Sequence, residues 1–111
     1  MDLYRDLMQK VSELEASIRA LRITGTAYAQ AEKDYKILLR TECLKLRDSG
    51  LAVGLIDKTC YGIPSVAEAR FKRDCARVVY QANMDSINAT KLMIRILENQ
   101  ISREWGTDMP E

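Results

Sequence analysis

Between Leu3 and Leu46 apolar or small residues return in steps of three, four or seven: Leu3, Leu7, Val11, Leu14, Ile18, Leu21, Gly25, Tyr28, Tyr35, Leu39 and Leu46. No proline interrupts them. That spacing is the stripe of one long amphipathic helix with near-heptad periodicity. Asp2 is placed to cap its start, and Ser49-Gly50 to stop it, with Lys45 and Arg47 suited to the negative end of the helix dipole. A helix over 2–48 is predicted. Two residues disturb the stripe. Gly25 costs roughly 1 kcal/mol against alanine inside a helix, so either the helix kinks there or another helix comes close. Glu32 falls on the stripe between Tyr28 and Tyr35, and is expected to turn toward solvent or toward an arginine of a facing helix.

A second helix is predicted over 65–105. Ser65 and Glu68 have the spacing of a capping box, with Pro64 just outside. Apolar residues then run from Val66 to Trp105 with no breaker before Gly106. The tail, 106–111, is expected to fray. Between the two lies an apolar joining segment, read as a short helix over 52–59. Two helices of similar length with a short join make an antiparallel hairpin. The expected fold is all-α, a single domain over 1–111. In "KLMIRILENQI" the apolar residues Leu92, Met93, Ile94, Ile96, Leu97 and Ile101 cover more than one side of the helix, wider than one partner requires. The hairpin is therefore expected to form a homodimer or higher oligomer, a helix bundle.

The chemistry the chain lacks is equally informative. Its 111 residues include no histidine and three widely spaced cysteines, Cys43, Cys60 and Cys75, with no CxxC. This removes the commonest general acid–base group, the histidine-paired nucleophiles and a zinc site of ordinary kind. No phosphate-binding loop or dinucleotide fingerprint occurs. No enzyme activity, metal or cofactor is expected. The opening residues carry acids and no apolar run, and nothing approaches a membrane span of about 18 residues. A cytoplasmic protein with reduced, packed thiols is expected, with no membrane partner.

Charge is uneven although the net charge is only +1. Residues 36–77 hold nine bases and five acids, and the remainder is net acidic. A hairpin gathers that excess at one end. Exposed helix turns carry lysine and arginine for solubility alone, but five of the nine bases are arginines, the better fork for phosphate. The candidate ligand-binding residues are Arg40, Arg47, Lys58, Thr59, Tyr61, Arg70, Arg73 and Arg77. Arg70, Arg73 and Arg77 share a helix face, Arg40 and Arg47 are expected to face them, and the joining segment closes the ring. A compact ring suits a nucleotide-like anion better than long nucleic acid, which asks for an extended basic stripe. A helix-turn-helix reading of residues 55–74 is weaker, because the turn carries a proline and the supposed recognition helix is far too long.

"GTAYAQAEKDYKILL" and "KLMIRILENQISREW" resemble a family of small, mostly uncharacterised α-helical proteins encoded in the early region of phages and prophages of Gram-positive bacteria. The matching residues are Tyr28, Ala29, Ala31, Glu32, Asp34, Tyr35, then Glu98 to Ile101 and Arg103 to Trp105. The resemblance spans nearly the whole chain and carries no catalytic residue with it. It implies early expression in a bacterial host cell. Three functions are then open. The first is a counter-defence binding protein that neutralises a host immune protein or sequesters a nucleotide signal. The second is a DNA- or recombinase-binding accessory of phage recombination or replication. The third is a structural bundling protein.

Overall fold

The computed structural model describes residues 2–108 and is all-helical, with no strand among them. Three helices follow in order: α1 (Leu3–Asp48), α2 (Val53–Tyr61) and α3 (Pro64–Asp108). α1 starts where the sequence places its cap, the Asp2 carboxylate accepting the Arg5 backbone N–H at 3.1 Å. It ends in paired hydrogen bonds from Gly50 N–H to Arg47 C=O and from Leu51 N–H to Leu46 C=O. That pattern needs a left-handed residue at Gly50, whose φ is 90°, a conformation that costs a side chain dearly.

α3 begins differently from the expected capping box. Pro64 is its first residue rather than lying outside, and the Ala67 N–H donates to the Ile63 C=O at 2.9 Å. Proline suits the first helical position because its missing N–H would be unsatisfied there anyway. α2 starts one residue later and ends two later than the expected 52–59. Gly106 does not stop α3; 109–111 of the expected frayed tail lie outside the described residues.

The contacts group into two compact units, one formed by 1–23 with 81–111 and the other by 24–80. In the first, Leu3 shares a groove with Gln100, Arg103 and Glu104, while Asp6 to Glu13 share one with Met93 to Leu97. The Asn83 amide donates to the Ser17 carbonyl at 3.0 Å. Residue numbers rise on α1 as they fall on α3, so the segments are antiparallel. The less exposed positions include Leu3, Leu7, Val11, Leu14 and Leu21 of the expected stripe on α1, with Ile87, Ile94 and Ile101 in steps of seven on α3. Between them stand Lys10, Ser17, Asn83, Thr90 and Leu97. This seam differs from the expected stripe: Ile18 is half exposed, and Ser17 takes the inward place. A polar seam residue is tolerated where its hydrogen bonds are made, and Thr90 satisfies its hydroxyl on the Ser86 carbonyl.

In the second unit α1 continues as helix through Gly25. A Cβ on Gly25 would meet the Tyr80 ring at 3.3 Å, so the glycine serves close approach, not a kink. Tyr80 and Tyr28 lie ring to ring with centroids 5.8 Å apart. The core is Tyr35, Cys60 and Val66, with Leu38, Leu39, Cys43, Leu46, Ile63 and Ala69 packed around it. α2 contributes Ile56 and Cys60, one turn apart on its buried side. Glu32 sits at the edge of the unit, paired with Lys36 of its own helix at 3.7 Å.

Candidate anion site at the joining segment

The structure places six of the eight predicted ligand-binding residues in three pairs, and leaves Lys58 and Thr59 apart on α2. Arg40 and Arg47, seven residues apart on α1, line a groove of about 460 Å³ against α2. Cys43, Leu44, Val53, Ile56 and Asp57 complete it. Neither guanidinium group has an ion-pair partner among the described residues. At the other end of α2, Arg70 donates to the Tyr61 carbonyl through both terminal nitrogens at 3.4 Å, and its guanidinium lies 5.4 Å from the Tyr61 ring centre. The third group is Arg73 and Arg77. Arg73 holds the Asp74 carboxylate through Nε at 3.1 Å and Nη2 at 2.9 Å, and Arg77 reaches the same oxygen at 3.3 Å. Lys58 and Thr59 are exposed on α2.

The expected face-to-face ring therefore divides. Arg73 meets Tyr35, its guanidinium 4.5 Å from the ring centre, because Tyr35 is the α1 residue inside the unit at that level. Arg40 and Arg47 point along the α2 side of α1 instead. Asp74 ties Arg73 and Arg77 together, but its one carboxylate offsets only one of their two charges. Arg40, Arg47 and Lys58 carry positive charge with no ion pair among the described residues, as do Arg70 and Lys72. Sequence reasoning missed the lining partners Leu44, Val53 and Asp57. A signal for them was available, since Ile37 and Leu44 break the polar outer side of α1 and are both about half exposed.

Cys60 is fully enclosed, and its thiol donates to the Leu39 carbonyl at 3.6 Å. Burial, reinforced by a hydrogen bond with the Cys43 thiol, pushes it up to about 11 from an ordinary 9.0. The folded chain thus keeps this proton at a pH where the unfolded chain loses it. The stabilisation is complete below pH 9 and is lost as pH rises toward 11, amounting to about 2–3 kcal/mol at one pKa unit per 1.36 kcal/mol. Urea titrations at pH 8 and 11 are expected to show the gap in stability between the native chain and Cys60→Ala narrowing by that amount. A gap independent of pH would remove Cys60 as its source.

Among the described residues no three histidine, cysteine or acidic side chains cluster as metal ligands, and no helix is long and apolar enough to cross a membrane. Comparisons with known protein families, with curated proteins and with solved structures return no match for this chain. The class defined by the coordinates is an all-helical protein of two long paired helices and a short joining helix.

Proposed function

We propose that this chain is a non-enzymatic, phage-encoded binding protein that works in the cytoplasm of a bacterial host as a homo-oligomer. It acts in counter-defence by holding a nucleotide-like anion in the α1–α2 groove. The observation that carries the reading is the groove itself. Two unpaired guanidinium groups border it, and Cys43, Leu44, Val53 and Ile56 give it an apolar floor. Phosphate suits the guanidinium fork and a base suits the apolar floor. Asp57 on the rim offers an acceptor for a base N–H. Lys58 and Thr59 are exposed on α2 beyond the groove, and Tyr61 with Arg70 of α3 stands at the far end of α2. The host-defence setting rests on the resemblance to early phage proteins.

Oligomerisation is supported by apolar surface. In the unit of 1–23 with 81–111, Ile87 is the one buried large hydrophobic among the described residues, and it is still 7% exposed, whereas Tyr4, Met8, Leu92, Met93, Ile96 and others stand exposed. Exposed apolar area of this kind marks association.

The test is calorimetry with cyclic dinucleotides and nucleoside phosphates beside gel shifts on single- and double-stranded DNA, each at two salt concentrations. A nucleotide is expected to bind, and Arg40→Glu with Arg47→Glu to weaken it by about ten- to a hundredfold, the range of one or two charge-assisted hydrogen bonds. Arg19→Glu, in the other unit, should leave binding unchanged. Tight DNA binding with a steep salt slope would instead favour the recombination reading.

A further inference from the structure

Two thiols meet where α2 packs on α1. Cys43 lines the open groove, half-buried, while Cys60 behind it is fully enclosed. The Cys60 thiol rests on the Leu39 carbonyl at 3.6 Å. In a helix that carbonyl is also the acceptor of the Cys43 backbone N–H, four residues on. The Cys60 sulfur therefore lies against the turn of α1 that bears Cys43, and Cys43 packs against the core cluster to which Cys60 belongs. Both are free thiols. Cys75, the third, is exposed on α3 and stands outside the core cluster that Cys60 and Cys43 share.

We propose that Cys43 and Cys60 form a reversible redox pair, which closes to an intramolecular disulfide when a peroxide enters the groove. The order of events follows from access. Cys43 is the thiol a small oxidant reaches. Its sulfur attacks one peroxide oxygen, the O–O bond breaks, and Cys43 sulfenic acid and one water are formed. The Cys60 sulfur then attacks the Cys43 sulfur, the S–O bond breaks, and the oxygen leaves as a second water carrying the Cys60 proton. Two thiols lose two electrons and hydrogen peroxide gains them. A dithiol reductant reverses the step by exchange. In a reducing compartment such disulfides are transient and serve sensing. The bond would tie α2 to α1 across a loop of about 17 residues, a constraint that acts chiefly on the unfolded chain.

The experiment uses full-length Cys75→Ser protein, so that the exposed thiol cannot link two chains. It is treated with hydrogen peroxide, alkylated, and digested without reduction for mass spectrometry. A peptide joining Cys43 to Cys60 and lacking two hydrogens is expected, along with a higher melting temperature, and dithiothreitol should reverse both. The folded chain should form this bond about tenfold faster than the same chain in urea, because the fold supplies the proximity. In Cys43→Ser, Cys60 should stay reduced over the same period. Equal rates in urea, full alkylation of both thiols after peroxide, Cys43 driven to the sulfinic acid with Cys60 free, or oxidation of Cys60 without Cys43 would each overturn the proposal.

Discussion

Tyr35→Ala is expected to lower the stability of the chain by about 3–5 kcal/mol, the range for removing a large buried aromatic side chain. Tyr35 is 4% exposed and is the largest member of the cluster with Cys60 and Val66. Its ring supports all three helices of its unit, since Cys60 belongs to α2 and Val66 to α3. It also carries the Arg73 guanidinium at 4.5 Å. Without the ring, the half-buried arginine loses its cation–π support, a further contribution of about 0.5–2 kcal/mol. Tyr35→Phe keeps the ring, and its cost is expected to stay within about 1 kcal/mol. Urea unfolding followed by circular dichroism measures both. A Tyr35→Ala protein as stable as the native chain would show that the centre of the core lies elsewhere.

Leu92→Glu combined with Ile96→Glu is expected to convert an oligomer into a helical monomer of 12.7 kDa. These two residues are one turn apart on α3 and about half exposed, Ile96 also bordering the groove where Lys10 of α1 can meet a carboxylate. Charges there face solvent in the single chain and would be desolvated only in an assembly. Ile94→Glu and Leu97→Glu should behave differently. Ile94 stands in the seven-residue series of the inner seam, and Leu97 lies against Asp6 to Glu13 of α1. A carboxylate at either position is placed between paired helices without a partner, so loss of helical signal is expected, not dissociation alone. Sedimentation with circular dichroism separates the two results. A native chain that sediments as a monomer at micromolar concentration would remove the oligomer from the proposed function.

The residues of the candidate site were legible one by one, their grouping only in part. Arginine-rich composition around the joining segment singled out Arg40, Arg47, Arg70, Arg73 and Arg77. That Asp74 holds two of them was readable from its place beside Arg73 and three residues before Arg77 on one helix; that Arg73 also lies on the Tyr35 ring was not, because that contact crosses between helices. Nor could composition pair Cys43 with Cys60. Sixteen residues stand between them in the chain, and only the docking of α2 sets Cys60 against the turn of α1 that bears Cys43.

Helix formation itself is local, and this chain determines it by sequence alone. Apolar residues in steps of three and four, a shortage of breakers, Asp2 before the first turn and Gly50 after the last establish α1 within a few residues of each boundary. The tertiary structure decides how each helix is turned about its own axis, and with that which stripe becomes the seam. Both the line through Val11 and Ile18 and the line through Lys10 and Ser17 have helical spacing. Val11, Lys10 and Ser17 are all partly buried, and only Ile18 leaves the expected stripe for solvent. Gly25 follows the same logic. Its sequence context permits a kink or a close approach, and the Tyr80 ring at 3.3 Å from its absent Cβ makes it the latter. Local backbone preference extends over a turn or two of helix, whereas the rotation of a helix and the partners of its long side chains depend on atoms distant in the chain.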